Sequence, residues 1–482
     1  MAWARHLFRK INVKQVILLP LILAVTLVLW FVPSGFYGIE GLTVVEQRTI
    51  AIFVFTALMW MFEVIPTWTT SVLSIVIMLL TISDSSIWFM KESYDAAEMG
   101  TFVSYKSILA TFADPVIMLF LGGFILAIAT TKVGLDVQLA KALLKPFGKK
   151  SEFVLLGFLL VIGLFSMFMS NTATAAMMLT FLAPVLRTLP PDGKGRIALA
   201  LSIPIAANLG GIGTPIGTPP NAIALGYLND TLHLGVGFGE WMLVMVPYVL
   251  VMLFISWGLL LMFFPFKQKT IELRIENTHE KTWQTYVVYV TFAVTILLWM
   301  LDRVTGINSN VVAMIPVGVF CVTGIITKDD LKEINWSVLW MVAGGFALGL
   351  ALQKTGLAEH LVNSIPFASW KPLAVVLVSG FIGYFISNFI SNTAAANLIV
   401  PIICAVGVGM GDSLLAVGGL RTLLVGVVLS TSLAMLFPIS TPPNALAHST
   451  GLVTTKDMVK VGILIGTIGY ILGYVTLILI GI

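Results

Sequence analysis

From Leu243 to Pro265 the chain carries no charged side chain, and Val16 to Val32 is a second run of the same kind. Each is close to the roughly 20 residues that take a helix through the hydrocarbon core of a bilayer. Such blocks are spans. Composition agrees: 58% of the 482 residues are hydrophobic and only 10% are charged, against roughly 25% charged in a soluble globular chain. The net charge of +4 argues for no acidic partner, because membrane proteins keep surplus Lys and Arg in cytoplasmic loops for topological reasons. A nucleic-acid role gains nothing from it.

Arg5, Arg9, Lys10 and Lys14 ahead of the first apolar run have the look of a secretion signal. The run is too long for a signal core, and Val32-Pro33-Ser34-Gly35 follows it without a small-x-small cleavage pattern. It reads as a retained first helix. Cys321 and Cys404 both lie in apolar segments, where a thiol behaves as a small hydrophobe, so no disulfide or metal framework is expected.

The chain also repeats itself. Leu121-Gly122-Gly123-Phe124 returns as Ala343-Gly344-Gly345-Phe346, and Lys132-Val133-Gly134-Leu135 as Lys354-Thr355-Gly356-Leu357. Ser170-Asn171-Thr172-Ala173 returns as Ser391-Asn392-Thr393-Ala394, and Thr218-Pro219-Pro220-Asn221-Ala222 as Thr441-Pro442-Pro443-Asn444-Ala445. Four motifs in one order at nearly constant spacing mark a duplicated unit. Each unit holds about five spans and a hairpin, and one extra helix precedes the pair.

Spans are predicted near 15–33, 46–63, 68–82, 111–131, 240–264, 286–302, 308–326, 335–353 and 457–481. Hairpins are expected over 152–187 and 372–405, and broken helices over 196–229 and 421–448. With the N-terminus inside, 20 of the 27 Lys and Arg fall in cytoplasmic segments, the bias of the positive-inside rule. An odd number of crossings per unit sets the copies in opposite orientations, the inverted-repeat plan of many secondary transporters.

Each hairpin is interrupted midway by Ser-Asn-Thr, and each half is expected to be too short to cross. Free backbone groups at such a tip are tolerable only against protein or a water-filled cavity. Polar residues in spans often serve only as helix glue, but two matched tips point to a shared polar ligand. Facing them, the paired prolines remove amide donors and break a helix, and Gly210, Gly211, Gly213 and Gly217 are expected to loosen the first break. Freed carbonyls suit a cation, and half-helix N-termini suit an anion.

No Lys, Arg, Asp or Glu occurs in Phe153–Leu186, Ile197–Asn229, Pro372–Gly411 or Thr422–Thr455. An anion bound there meets hydroxyls, amides, helix dipoles and co-bound cations only. Sodium, a hard ion that takes oxygen ligands, supplies the missing positive charge.

These motifs resemble the divalent anion/sodium symporter family, the INDY-like di- and tricarboxylate transporters. The resemblance covers the chain after its first helix. Thr431–Asn444 resembles the family signature, departing at Met435, where Phe is usual; Ala447 stands where Val is usual. It implies that Asn171, Thr172, Asn392 and Thr393 contact substrate carboxylates, with Thr218, Thr441 and Pro442 nearby. It also implies one sodium among Ser166, Ser170, Asn171 and Gly217, and a second among Ser387, Ser391, Asn392 and Ser440. Ser166 and Ser387 are repeat mates, each five residues before its Asn.

The implied fold is an all-α polytopic membrane protein of about 11 transmembrane helices, with two inverted repeats, re-entrant hairpins and broken helices, acting as an elevator-type homodimer. Residues 1–131 then form the N-terminal helix plus scaffold helices of repeat 1. Residues 132–264 hold an interfacial helix, hairpin 1 and transport helices. Residues 265–353 form the cytoplasmic loop and scaffold helices of repeat 2, and 354–482 the interfacial helix, hairpin 2 and transport helices of that repeat. The expected function is sodium-coupled import of C4 dicarboxylates (succinate, malate, fumarate) across the cell inner membrane, with a cytoplasmic N-terminus. A sodium-independent dicarboxylate or citrate exchanger and a sodium/sulfate symporter stay open.

Other polar residues receive structural readings. Asp114-Pro115 has the form of an N-cap and first-turn proline, and Glu63 sits at a span end as a scaffold contact. His448 falls beyond the second break, and Val133–Phe147 suits an interfacial helix. An intramembrane enzyme needs a nucleophile and base or a metal set at midplane depth. His6, His233, His279, His360 and His448 are scattered and form none.

Overall fold

The computed structural model describes residues 13–91, 95–190, 193–271, 282–364 and 370–481. Arg5, His6, Arg9, Lys10 and His279 lie outside them. The longer helices run, in chain order, α1 Val13–Phe31, α2 Val44–Phe62, α3 Thr67–Thr81, α4 Pro115–Lys132, α5 Leu135–Leu144, α6 Ser151–Ser166 and α7 Asn171–Thr188. They continue as α8 Gly195–Gly211, α9 Pro219–Gly226, α10 Phe238–Phe263, α11 Trp283–Met300, α12 Met314–Val322 and α13 Trp336–Lys354. The last are α14 Leu357–Ser364, α15 Pro372–Ser387, α16 Asn392–Met410, α17 Gly419–Ser432, α18 Pro442–Ser449 and α19 Thr455–Leu479.

The protein is an all-α polytopic membrane protein; among the described residues only isolated bridges, Ser83–Val103 and Lys150–Thr270, depart from helix and loop. Seven helices there are long and apolar enough to cross a bilayer, fewer than the expected eleven, because many apolar helices are short. The span expected over 308–326 is two pieces, Ser309–Val312 and α12, which meet at Ala313. The second arm of hairpin 2 is longer than expected. A 3-10 turn, Gly411–Val417, extends α16, and Asn392–Val417 has the length of a span.

The described chain divides into two compact units. The first takes the residues up to Asp114, Trp336–Lys371 and Asn397–Ser413; the second takes Pro115–Asn335, Pro372–Ala396 and Leu414–Ile482. In the first, α1 packs on α2, α2 on α3, and α3 on α13. A capping box starts α2: Thr43 Oγ1 accepts from Glu46 N while Glu46 Oε2 accepts from Thr43 N. Glu63, expected as a scaffold contact, is exposed and takes the left-handed turn (φ 47°) that ends α2. Arg48 is buried and donates to Thr81 O (3.1 Å) and Met90 O (2.9 Å), so it is no loop charge.

In the second unit α6 packs on α8 in the first repeat and α15 on α17 in the second, the same partners in each copy. The repeated glycine motifs acquire physical reasons across the chain. Gly134 (φ 64°) and Gly356 (φ 92°) both hold left-handed turns that end a long helix and start a short one, a conformation that costs glycine nothing. Gly122 packs so closely on Ala313 that a Cβ would strike its carbonyl, and Gly344 sits likewise against Ser71. Small residues at such crossings let helices approach. Outside the spans, Lys132 Nζ pairs with Asp330 Oδ2 at 2.6 Å. Burial raises the Asp330 pKa, but its bonds from Lys132 and Thr327 outweigh that and hold it below the usual carboxylate value.

Candidate functional site

All the residues expected to bind substrate or sodium belong to the second unit. Hairpin 1 is α6, a tip at 167–170, and α7; hairpin 2 is α15, a tip at 388–391, and α16. At about 1.5 Å per residue, the 16-residue α6 and α15 reach about 24 Å, short of the ~30 Å hydrocarbon core. The first broken helix is α8, an irregular stretch at 212–218, and α9; the second is α17, a stretch at 433–441, and α18. The two breaks cross: α8 packs against α18, α9 against α17, and α7 against α18.

Prolines 219–220 and 442–443 occupy the first two positions of α9 and α18, where a missing amide costs nothing. Thr218 and Thr441 are the extended N-cap residues, both buried. Each Asn after the prolines serves the break itself. Asn221 Nδ2 donates to Gly211 O (2.9 Å) and Thr214 O (2.8 Å), and Asn444 Nδ2 to Met435 O (2.8 Å) and Phe437 O (3.0 Å). Several of the carbonyls expected to be free for a cation are therefore already bonded. Trp241 Nε1 takes another, Ile212 O, at 3.0 Å.

At the first tip, Ser166, Asn171 and Gly217 come together. Ser166 Oγ donates to Ala207 O at 2.7 Å and lies 2.7 Å from the Asn171 carboxamide. With its nitrogen on this side, Asn171 donates to Ser166 Oγ, Gly217 O (3.1 Å) and Ala207 O (3.2 Å). With its oxygen on this side, acceptor oxygens of Asn171, Ser166, Ala207 and Gly217 converge with one hydroxyl proton among them. The nitrogen-inward orientation satisfies these oxygens without a guest; the oxygen-inward one leaves them to a cation.

The second tip repeats the pair. Ser387 Oγ lies 2.8 Å from Asn392 Oδ1 and 2.9 Å from Thr431 O, again one proton for two acceptors. Ser440 meets this tip elsewhere, donating from Oγ to Asn388 O at 2.9 Å. Ser170 and Ser391, expected as sodium ligands, cap α7 and α16 by accepting from Ala173 N (3.1 Å) and Ala394 N (3.2 Å). The two tips differ in exposure: Thr172 is exposed and Asn171 half-buried, whereas Asn392 and Thr393 are buried. Pro442 is exposed.

Three features escaped the sequence reading. Thr214 Oγ1 donates to Met167 O and accepts from Gly217 N at 3.1 Å; Ser440 Oγ does the same in the second copy, accepting from Phe437 N at 3.1 Å. The same contact comes from non-equivalent positions, so alignment of the copies hides it. Asn208 Nδ2 reaches from α8 to Thr441 Oγ1 (3.1 Å) and Asn444 Oδ1 (3.2 Å); no motif marked it. Finally, Gly210 and Gly211 do not loosen the chain. Neither has a positive φ; a Cβ on Gly210 would strike Gly163 O, and one on Gly211 would stand 2.7 Å from Asn171 Oδ1. Close approach, not flexibility, requires them.

A family model described as the sodium:sulfate symporter transmembrane region matches residues 13–481. The chain is 29% identical to a sodium-dependent dicarboxylate transporter of Staphylococcus saprophyticus, over 94% of this chain and 88% of that protein. It is 28% identical to a protein of the same name from Staphylococcus aureus, over 88% and 84%. An uncharacterized transporter of Haemophilus influenzae is 33% identical, over 76% and 81%.

Proposed function

The chain belongs to the sodium:sulfate symporter family, the divalent anion/sodium symporters, and from that premise we propose that it imports C4 dicarboxylates together with sodium. It is a transporter, not an enzyme, and sodium is the co-transported ion, as in the sodium-dependent dicarboxylate transporters it resembles. The observation that carries the reading is the twice-built Ser–Asn pair, Ser166 with Asn171 and Ser387 with Asn392. The second sets two acceptor oxygens around one hydroxyl proton, and the first does so when Asn171 turns its oxygen inward, inside segments that hold no ionised side chain.

In this reading Ser166, Asn171 and Gly217 take one sodium, and Ser387 and Asn392 the other, with Ser440 bracing that tip through Asn388 O. Ser170 and Ser391 contribute through the tips that they cap. Asn171, Thr172, Asn392 and Thr393 face the substrate carboxylates, with Thr218, Thr441 and Pro442 at the half-helix N-termini, where partial positive charge favours an anion. Two clamps suit two carboxylates. The transporter works as a homodimer in the inner membrane with its N-terminus in the cytoplasm. Hairpins and broken helices, in 132–264 and 354–482, move against a scaffold of 1–131 and 265–353.

The substrate assignment is tested by competition. Radiolabelled succinate uptake into proteoliposomes under an inward sodium gradient should be blocked by excess malate or fumarate and spared by sulfate. Block by sulfate alone would make the chain a sulfate carrier, and block by citrate alone a citrate carrier.

A further inference from the structure

Beside the first hairpin tip lies a groove of about 410 Å³ that no part of the transport reading uses. Leu139 of α5 forms one wall, Met167 and Met169 of the tip a second, and Val246 of α10 with Phe292 and Ile296 of α11 close it. The lining is almost wholly hydrocarbon and thioether. At its polar end both carboxylate oxygens of Asp136 have donors, Val137 N at 2.7 Å and Thr131 Oγ1 at 3.0 Å. Such a lining offers water no hydrogen-bond partners and suits an apolar guest.

The groove's rim identifies the guest. Leu164 is 42% exposed and Met300 51%, and Leu243 (79%) and Leu297 (55%) of the lining helices α10 and α11 are exposed as well. In a transmembrane family that surface faces lipid. The groove opens among these exposed apolar side chains, within reach of lipid hydrocarbon.

We propose that the groove is a binding site for one acyl chain of a bilayer phospholipid, seated under the first hairpin tip. The tip is well placed to respond. Met167 lies next to Ser166, its carbonyl is held by Thr214 Oγ1, and its side chain fills the space beside Gly213. Resting on the reading of this tip as a sodium site, an acyl chain behind Met167 and Met169 fixes the segment that carries Ser166 and Asn171. Phe292 and Ile296 belong to the proposed scaffold, and the tip to the proposed moving part, so the chain also sits between the two.

The test uses the full-length protein in phosphatidylcholine vesicles doped with a phosphatidylcholine that carries a diazirine midway along one acyl chain. After irradiation and proteolysis, mass spectrometry should find adducts on the segments around Met167–Met169 and Phe292–Ile296. Leu139→Trp and Ile296→Trp, which fill the groove, should each lower those adducts several-fold and leave adducts at Leu243 and Leu297 unchanged. Leu139→Phe replaces either variant that does not elute as a monodisperse peak in detergent. Adducts confined to the exposed belt, or groove adducts indifferent to the filling variants, overturn the proposal. Labelling is read without transport, so failure of the sodium reading leaves this result standing; it would remove only the link to ion binding.

Discussion

Ser166 Oγ stands 2.7 Å from the Asn171 carboxamide across the first hairpin tip, and both groups face Ala207 O. The pair Ser387 and Asn392 repeats this at 2.8 Å against Thr431 O. A sodium ion held by these oxygens loses a neutral ligand when either serine is truncated. A hydrogen bond or ligand contact to a charge contributes about 1.5–3 kcal/mol, roughly ten- to a hundredfold in affinity. Ser166→Ala and Ser387→Ala should each raise the sodium concentration for half-maximal uptake by about that factor and leave the maximal rate largely intact. Asn171→Ala and Asn392→Ala should abolish uptake while the protein stays folded in detergent. Unfolding of all four variants would make these residues helix glue.

The two adjacent glycines of α8 should separate stability from transport. A Cβ at Gly210 strikes backbone at Gly163, where nothing can swing aside, so Gly210→Ala should cost about 1–3 kcal/mol of stability and lower the thermal unfolding midpoint. A Cβ at Gly211 meets first the end of the Asn171 side chain, at 2.7 Å, and only then backbone, Gly217 O at 3.1 Å. Gly211→Ala should keep a near-normal midpoint and lose sodium dependence. Equal behaviour of the two variants would contradict the close-approach account.

Those glycines also mark how far the sequence carried. Repeated Ser-Asn-Thr and Thr-Pro-Pro-Asn located both tips and both breaks, because prolines and hairpin tips leave local signatures. Sequence alone marks the glycines as loosening elements, since it does not reveal which neighbour they touch. The same limit hid Asn208, whose partners Thr441 and Asn444 lie in the other copy. Asn221 and Asn444 were legible as motif members, yet their task of holding the carbonyls of the break emerges only from the fold. The crossing capacity of Asn392–Val417 depends on a 3-10 extension that no hydrophobic period announces.

Asp330 gives a pH signature outside the transport path. Its pKa is lowered in the folded protein, so its contribution is present above the unfolded carboxylate pKa and fades as pH falls through the folded value. The pair with Lys132 is partly exposed and contributes at most about 1 kcal/mol. Asp330→Asn should therefore be slightly less stable than the parent at neutral pH, and the difference should vanish in acid. A difference that grows in acid would reverse the assigned sign.

Transport should respond to voltage. With no ionised side chain in the binding segments, two sodium ions neutralise a dianion and a third carries one net charge per cycle. One charge across 100 mV is about 2.3 kcal/mol, roughly a fortyfold accumulation. An inside-negative potential set with potassium and valinomycin at fixed sodium gradient should stimulate succinate uptake. Indifference to voltage would leave two sodium ions per cycle.

Sodium coupling itself is tested most directly in proteoliposomes that contain neither sodium nor dicarboxylate. When an inward sodium gradient is imposed, they should accumulate succinate above the external concentration, and replacing sodium with potassium should stop it. Accumulation that ignores sodium and requires preloaded dicarboxylate inside would establish an exchanger and contradict the account.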